Sequence, residues 1–356
     1  MRGAHLDEPD VVTSLRVFGT AVAFPLARET RTFTLGSSPD RDIALPGGYL
    51  SSLHCVLDRR TQCLKVTDQA SHNGTFFEGR REQSFEIRPG DLFTAGPFTF
   101  LAQNDEMRAA YPILVGLLGP EDDDSLGASS HRDDASPSSL IVLATGGRHL
   151  LLTGEAGCGQ AQLARTIHDI SLLRGRPPVI LHKVPADRGR QREVLDAASR
   201  STLILTIDPD APILDGAFVQ SAFSQSYRIR VIAIAPSVDK ANQVLAAENV
   251  RAMRVIALPS LAFRQRAIPA LIDHALAAHE APFQFSDLTA ANQAALSAYG
   301  WPGNFDDLHL AARRLVAIAR AASLRKAADA LDLGYSTLQH WFSHLGLSQP
   351  VLAGAR

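Results

Sequence analysis

The central fold is decided by one stretch of sequence, His149-Leu-Leu-Leu-Thr-Gly154-Glu-Ala-Gly157-Cys-Gly159-Gln160-Ala-Gln-Leu-Ala-Arg-Thr-Ile-His168. An apolar run precedes Gly154 and Gly159, whose spacing is that of a phosphate-binding loop, and a segment with helical periodicity follows. This order predicts a strand, a loop and a helix whose first N–H groups bind phosphate. A lysine at position 160 would neutralise the phosphate charge, but Gln160 carries none. The stretch therefore predicts the architecture of a nucleotide-binding domain that lacks its main cation.

Composition limits the kind of protein that surrounds this loop. With 356 residues, of which 46% are hydrophobic, the chain is long enough for two or three domains with their own cores. The formal net charge of −2 argues against a protein that coats nucleic acid non-specifically. Cys55, Cys63 and Cys158 lack metal-ligand spacing, so we expect no bound metal and reduced thiols. Because no run approaches about 20 apolar residues, we expect a cytoplasmic protein without a membrane contact.

The N-terminal third has the alternation of an all-β sandwich. Apolar residues recur with a period of two in short segments that Asn73-Gly74 and Pro89-Gly90 turns separate. The segments are Leu15–Phe18, Thr32–Leu35, Cys55–Asp58, Leu64–Thr67 and Phe98–Leu101. An acidic, polar stretch follows at Glu121–Ser139, and its composition is typical of a linker. We therefore assign the sandwich to residues 14–104 and a linker to residues 105–135.

The rest of the chain changes from alternating elements to helices. Apolar runs at 150–153, 179–182, 202–207 and 230–235 alternate with helical segments, which predicts an α/β domain with a parallel sheet. From Leu261 onward the pattern is helical, with breaks at Pro302-Gly303 and Gly334. The chain is thus predicted to be multidomain.

Four motifs of the sandwich segment resemble those of forkhead-associated (FHA) domains. They are Leu35-Gly36-Ser-Ser-Pro-Asp-Arg41-Asp-Ile43, Leu50-Ser51-Ser52-Leu-His54, Ser71-His72-Asn73-Gly-Thr75 and Gly90-Asp91, spread over about 60 residues in the family's order. FHA domains are sandwiches that bind phosphothreonine. The resemblance implies that Ser51 bonds the phosphate, His54 braces its loop, His72 lines the pocket and Asn73 holds the peptide backbone.

The chain departs from this family where charge is expected. Phosphate recognition depends on charge-assisted hydrogen bonds, usually from arginine. The family's arginine after the glycine is Ser37 here, and the basic residue common after the motif serine is Ser52. Arg41 or Arg31 is a candidate substitute. The alternative is that Ser51, His54 and Asn73 only fix the geometry of their loops.

The central region resembles the AAA+ domain of sigma-54-dependent enhancer-binding activators. The resemblance rests on the phosphate-loop stretch and on three further segments, Arg174-Gly-Arg-Pro-Pro-Val179, Leu258-Pro-Ser-Leu261 with Ile268-Pro269, and Tyr299-Gly-Trp-Pro-Gly-Asn304. It implies an α/β core at 136–275 and a helical lid at 276–318. Domains of this family hydrolyse ATP in a ring and act on sigma-54 RNA polymerase, so the RNA polymerase machinery is an expected partner.

Five features of that family are missing at the matching positions. Gln160 replaces the lysine, Thr206 and Ile207 replace the two acids after a strand, Pro236 replaces the sensor asparagine, and Asp306 replaces an arginine. Only residues 187–200 separate the strands between which the family inserts its sigma-54-contacting loop. Because phosphoryl transfer depends on positioned charge, we expect a pseudo-ATPase without a resident cofactor. Weak ATP binding by the loop backbone, at Gly154, Gly157, Gly159 and Gln160, stays open, as does a divergent ATPase that uses Asp208 or Asp210.

The C-terminal segment has the pattern of two short amphipathic helices joined by Asp332-Leu-Gly334. It resembles the Fis-type helix-turn-helix of the same activators and is assigned to residues 319–350. With Leu338, Trp341 and Phe342 turned inward, the second helix presents polar residues to DNA. The predicted DNA-binding residues are Arg325, Lys326, Tyr335, Ser336, Thr337, Gln339 and His340, with Arg313, Arg314 and Arg320 as further sources of charge. The alternative is a helical bundle with solvated polar faces.

Together these patterns predict a bacterial transcription regulator. It would bind DNA as a homodimer on a two-fold site and a phosphothreonine-containing protein through its FHA domain, with the AAA+ domain as a scaffold. Two alternatives are an active but divergent ATPase and a phosphothreonine adaptor that does not bind DNA.

Overall fold

The structure is a computed structural model that describes residues 11–121, 136–321 and 323–353. The chain forms two compact units. The first takes its described residues from 11–149, 163–204 and 217–231, and the second from 150–162, 205–216 and 232–353.

Two antiparallel sheets form the N-terminal sandwich. One has the strand order β2-β1-β11-β10-β7-β8 and the other β4-β3-β5-β6-β9, with the short β3–β4 pair parallel. The strands are β1 (Ser14–Val17), β2 (Ala23–Pro25), β3 (Thr32–Gly36), β4 (Ile43–Ala44), β5 (Cys55–Arg59), β6 (Leu64–Asp68), β7 (Thr75–Phe77), β8 (Arg80–Arg81), β9 (Ser84–Ile87), β10 (Leu92–Ala95) and β11 (Phe98–Gln103). Alternate residues such as Leu57, Val66 and Phe100 are fully buried in one core, as a period of two dictates. The predicted sandwich is confirmed.

Two helices lie at the predicted linker, one inside it and one directly after it. Helix α1 (Asp105–Leu118) buries Met107, Leu114 and Leu117, and helix α2 is Pro137–Thr145. The assignment of residues 105–118 to a linker is therefore wrong, because their apolar residues recur with a helical period and pack inward. The acidic segment 122–135 lies outside the described residues.

A buried carboxylate connects α1 with α2. Glu121 accepts hydrogen bonds from the hydroxyl of Tyr111 at 2.9 Å and from the backbone N–H and hydroxyl of Ser138 at 2.8 Å. The guanidinium of Arg16 on β1 stacks on the Tyr111 ring, 3.3 Å from its centroid. Because a buried carboxylate is stable only when it is paired and hydrogen-bonded, this network fixes both helices beside the sandwich.

A five-stranded sheet in the order β13-β14-β15-β12-β16 forms the α/β region. Its strands are β12 (Leu150–Thr153), β13 (Val179–Leu181), β14 (Thr202–Thr206), β15 (Arg230–Ala235) and β16 (Arg254–Ala257), and its helices are α3 (Gln160–Asp169), α4 (Arg188–Ala198), α5 (Gly216–Phe223), α6 (Val238–Leu245) and α7 (Ala247–Arg251). Strand β12 pairs in parallel with β15 and β16, placing Leu150 opposite Ile232 and Arg254. The predicted parallel sheet is confirmed.

Helices form the remainder of the second unit. They are α8 (Ile268–Ala278), α9 (Ala290–Ala298), α10 (Asn304–Arg320), α11 (Leu324–Ala330) and α12 (Tyr335–His344), with 3-10 turns at Leu261–Phe263, Gln265–Ala267 and Phe285–Asp287. Within the described ranges, no helix is long and apolar enough to cross a membrane.

The last two helices share one hydrophobic core with the helices before them. Leu338 and Phe342 of α12 belong to the same buried cluster as Leu276 of α8 and Trp301. The Asn292 side chain also holds the C-terminal tail, because it accepts from Ser348 N–H at 2.8 Å and donates to the Ser348 carbonyl at 2.9 Å. The predicted lid at 276–318 and the predicted domain at 319–350 thus pack together around one hydrophobic core.

We predict that Leu338→Ala destabilises the whole helical region. The fully buried side chain leaves a cavity, which costs about 2–5 kcal/mol of the free energy of unfolding. Amide hydrogen exchange in α8, Ile268–Ala278, will accelerate together with exchange in α12. The exposed neighbour variant Gln339→Ala is the control and will leave both unchanged. Acceleration confined to α11 and α12 would show that the two segments are independent after all.

Candidate functional site

The loops at one end of the sandwich pack closely around Gly36. A Cβ atom on Gly36 would collide with the Ser52 carbonyl oxygen and lie 2.9 Å from that of Ser51. Ser37 N–H donates to the Ser51 carbonyl at 3.0 Å, and His54 N–H donates to the Leu35 carbonyl at 2.8 Å. The end of β3 and the loop after Leu50 are thus held together by backbone contacts that require glycine.

His54 joins two of these loops from a fully buried position. Its Nδ1 accepts from Ser51 N–H at 3.3 Å, and its Nε2 lies 3.1 Å from the Gly74 carbonyl oxygen. These contacts suit the neutral tautomer with the proton on Nε2. Burial lowers the pKa of His54, which favours the same neutral form.

The polar side chains of the predicted phosphate site lie on the loops that His54 joins. Ser51 Oγ accepts from His72 N–H at 3.1 Å, and its own hydroxyl proton is left to donate to a ligand. Asn73 Nδ2 donates to the Tyr49 carbonyl at 2.9 Å. The side chains of Ser52, His72 and Asn73 are exposed. This end of the sandwich therefore presents hydroxyl, imidazole and amide groups to solvent.

The cation beside these groups is Arg41. Its Nε donates to the Ser52 carbonyl at 3.2 Å, and its Nη2 lies 3.3 Å from the Asp40 carboxylate. Arg31 lies at the opposite end of β3, about 20 Å along an extended strand from Ser37, so it is not part of this site. The six residues predicted to bind phosphopeptide, Ser37, Arg41, Ser51, Ser52, His72 and Asn73, are on neighbouring loops at one end of the sandwich.

Arg81 is a second arginine at this end of the sandwich, and the sequence motifs do not indicate it. Arg81 of β8 donates through Nη2 to the Ser71 carbonyl at 3.2 Å, and its side chain lies against Gly74. No motif marks it, because its position depends on the antiparallel pairing of Phe76 with Arg81.

Gln160 folds back onto the phosphate loop. Its Nε2 donates to the Glu155 carbonyl at 2.8 Å, and the side chain is only 8% exposed. Gly157 and Gly159 have φ of 75° and 88°, and Gly154 has φ of 152°, a backbone region that glycine tolerates best. The three glycines thus have a geometric reason to be present that is independent of a nucleotide.

The start of α10 closes on the same loop. Asn304, fully buried, donates to the Ala156 carbonyl at 3.0 Å and to the Glu155 carboxylate at 3.2 Å, and accepts from Leu261 N–H at 2.8 Å. Phe305 N–H donates to the Gly157 carbonyl at 3.0 Å. Carbonyl groups of the loop are therefore committed to the helical region.

The positions that would hold catalytic charge carry other groups. The carboxylate of Asp306 lies 3.1 Å from the place that a Cβ on Gly157 would take, so a negative charge stands beside the loop. Ile207 is buried and Thr206 partly buried at the end of β14, while Asp208 and Asp210 are exposed. The Lys240 ammonium donates to the Ala211 carbonyl at 2.9 Å, not to a phosphate-loop group.

Helix α12 divides into a buried and an exposed face. Leu338 and Phe342 are buried, whereas the five polar residues predicted to bind DNA, Tyr335, Ser336, Thr337, Gln339 and His340, are exposed. The guanidinium of Arg325 lies over the Tyr335 ring at 5.4 Å, and that of Arg314 lies over the Trp341 ring at 4.9 Å. Lys326 is exposed on α11.

Comparisons with known proteins give partial similarities. Residues 20–105 match a family model described as the cytoplasmic domain of the inner membrane component of T3SS. A search of curated proteins found no match. Among solved structures, NtrX from Brucella abortus in complex with ADP is 17% identical with a TM-score of 0.44, covering 59% of this chain and 67% of that one.

Two further solved structures are similar to a quarter of the chain. The FHA domain of CT664 from Chlamydia trachomatis is 25% identical with a TM-score of 0.24, covering 26% of this chain and 95% of that one. EmbR of Mycobacterium tuberculosis in complex with a low affinity phosphopeptide is 22% identical with a TM-score of 0.25, covering 26% and 24%.

Proposed function

We propose that this chain is a bacterial transcription regulator that binds DNA through α11 and α12, binds a phosphothreonine-containing protein through the sandwich, and does not hydrolyse ATP. The observation that carries the proposal is the division of α12, whose apolar face is part of a core while its polar face is open. Under this proposal the RNA polymerase machinery and a second copy of the chain are further partners.

The chemistry of the open face favours DNA. Gln339 is able to bond adenine through two hydrogen bonds, and Ser336 and Thr337 are able to bond bases or phosphates. In a helix-turn-helix the second helix lies in the major groove while the first crosses the backbone, which gives Arg325 and Lys326 of α11 phosphates to contact. A short helix pair binds one half-site weakly, so a dimer on a two-fold site is expected.

We predict that Gln339→Ala weakens binding to a preferred DNA site by about 1–3 kcal/mol, because a bidentate base contact is lost. Sites are first recovered by pull-down of genomic fragments with the full-length protein, and affinities are then measured by fluorescence anisotropy. The exposed glutamine variant Gln265→Ala, on the Gln265–Ala267 turn, is the matched control. An unchanged preference in Gln339→Ala would contradict the assignment of α12 as the DNA-reading helix.

The polar end of the sandwich fits a phosphate. Ser51 retains a hydroxyl donor, Arg41 supplies a charge beside it, and Ser52 is exposed for contact with a peptide. Hydrogen bonds to charged groups contribute about 1.5–3 kcal/mol each, enough for preference over an unphosphorylated peptide. His72 and Asn73 stand at the rim for contact with the peptide backbone.

We predict that the protein prefers a phosphothreonine peptide library to the same library without phosphate, and that Ser51→Ala and Arg41→Gln each weaken this binding by about 10-fold or more. The measurement is isothermal titration or anisotropy with degenerate peptides. Ser286→Ala, an exposed serine in the helical region, is the matched control for Ser51→Ala. Equal affinity for both libraries would refute phosphothreonine recognition and leave these residues a structural role only.

The phosphate loop argues against turnover of ATP. Position 160 carries no positive charge, and the Asp306 carboxylate beside Gly157 repels phosphate. No cofactor is therefore proposed for this domain, which serves as a scaffold. Weak binding of ATP through the loop backbone is the limit of what the geometry favours.

We predict no phosphate release from ATP above background, either by the natural protein or by Gln160→Lys, because the lysine restores only one of the missing charges. A coupled phosphate assay with Mg²⁺ measures this. Phosphate release that Asp208→Asn abolishes would instead support a divergent ATPase. If DNA binding fails while phosphothreonine binding holds, the protein is an adaptor.

A further inference from the structure

A basic groove lies beside the proposed DNA-reading helices. It has a volume of about 680 Å³ and runs between the end of α8, the second half of α10 and α11. Its polar lining consists of His279, Arg313, Arg320 and Lys326, and apolar residues such as Val316 and Leu331 form its floor. Two of these cations belong to the lid helix α10 and one to α11.

The cations of this groove are not neutralised by the chain. Arg320 donates to the Glu280 backbone carbonyl at 2.6 Å, which is a neutral acceptor. In the part of the chain that the structure describes, Arg313, Arg320 and Lys326 form no ion pair with a carboxylate. His279 adds a ring nitrogen, Nε2, that is buried without a hydrogen-bond partner among the described residues. The groove thus contains three positive charges that form no ion pair within the described residues, and one ring nitrogen without a hydrogen-bond partner there.

Helix α11, which lines one side of the groove, packs against α12. Lys326 lines the groove, and the adjacent Arg325 stacks on Tyr335, the first residue of α12. Arg313 and Arg320 are seven residues apart on α10, or about 10 Å along the helix axis, which matches the rise of roughly three nucleotides along one strand. Because α10, α11 and α12 share a hydrophobic core, this spacing is fixed relative to α12.

We propose that this groove holds the phosphate backbone of the duplex next to the site read by α12, so that the lid helix α10 is part of the DNA-binding surface. The proposal rests on the proposed DNA-binding function and extends it to residues outside the helix-turn-helix. Arg314 is not part of this surface, because it does not line the groove. The contacts are to phosphates, so they add affinity at every sequence.

The test is the salt dependence of binding by the full-length protein to a mixed-sequence DNA duplex. Each phosphate contact contributes about 0.9 to the slope of log affinity against log salt concentration. Arg313→Gln/Arg320→Gln is expected to lower that slope by about 2 and to weaken binding by about 10-fold or more at about 50 mM salt. Arg313→Gln alone is expected to lower it by about 1, and Arg313 donates no hydrogen bond within the described part of the chain.

The controls separate this inference from the function on which it rests. Arg251→Gln/Arg266→Gln removes the same charge from exposed positions outside the groove and is expected to keep the natural slope. Gln339→Ala is expected to change sequence preference and not the slope. If both groove variants keep the salt slope and the affinity of the natural protein, the inference is overturned and the proposed DNA-binding function is not. Absence of DNA binding by the unaltered protein would overturn the proposed function and the inference with it.

Discussion

The side chain of Asn304 is the constraint on which the helical region depends. It is fully buried, and it bonds to the backbone of Ala156, the carboxylate of Glu155 and the N–H of Leu261. A buried amide is tolerated only where its groups are paired, so the phosphate loop, the turn at Leu261 and the start of α10 must keep their relative positions. No apolar residue of the same size is able to make these contacts.

Helix α10 begins at Asn304 and packs against the C-terminal helices, so the position of Asn304 also limits where these helices lie. The helix runs 17 residues, and buried residues along it, such as Leu308 and Leu315, belong to the cluster that also contains Leu338 and Phe342. Asn292 and the tail residues Ser348 and Val351 add hydrogen bonds to the same body. The proposed DNA-reading helix is therefore positioned by the phosphate loop and by α10.

Periodicity and motif spacing predicted the elements whose residues alternate strongly. Strands β5 and β6 are predictable because their buried residues alternate, and β12 because it is a short, continuous apolar run. Helix α1 was missed because acidic neighbours outweighed its helical period, and β16 because only Ile256 of its four residues is buried. The motifs located the loops of the sandwich site, but choosing Arg41 over Arg31 required knowing which end of β3 faces Ser51. Contacts such as those of Asn304 join residues about 150 positions apart, so no local pattern reveals them.

Gln160 and Asp306 stand where the activators have a lysine and an arginine, and both replacements affect the phosphate loop. The N-terminus of α3 carries a partial positive charge that a phosphate would normally meet. In this chain the carboxylate of Asp306 lies beside Gly157, in the loop that precedes α3. The Gln160 amide needs no anion, because it donates to the Glu155 carbonyl. Carbonyl groups of the loop are thus bonded by donors of its own chain, and a phosphate at the loop would meet the like charge of Asp306.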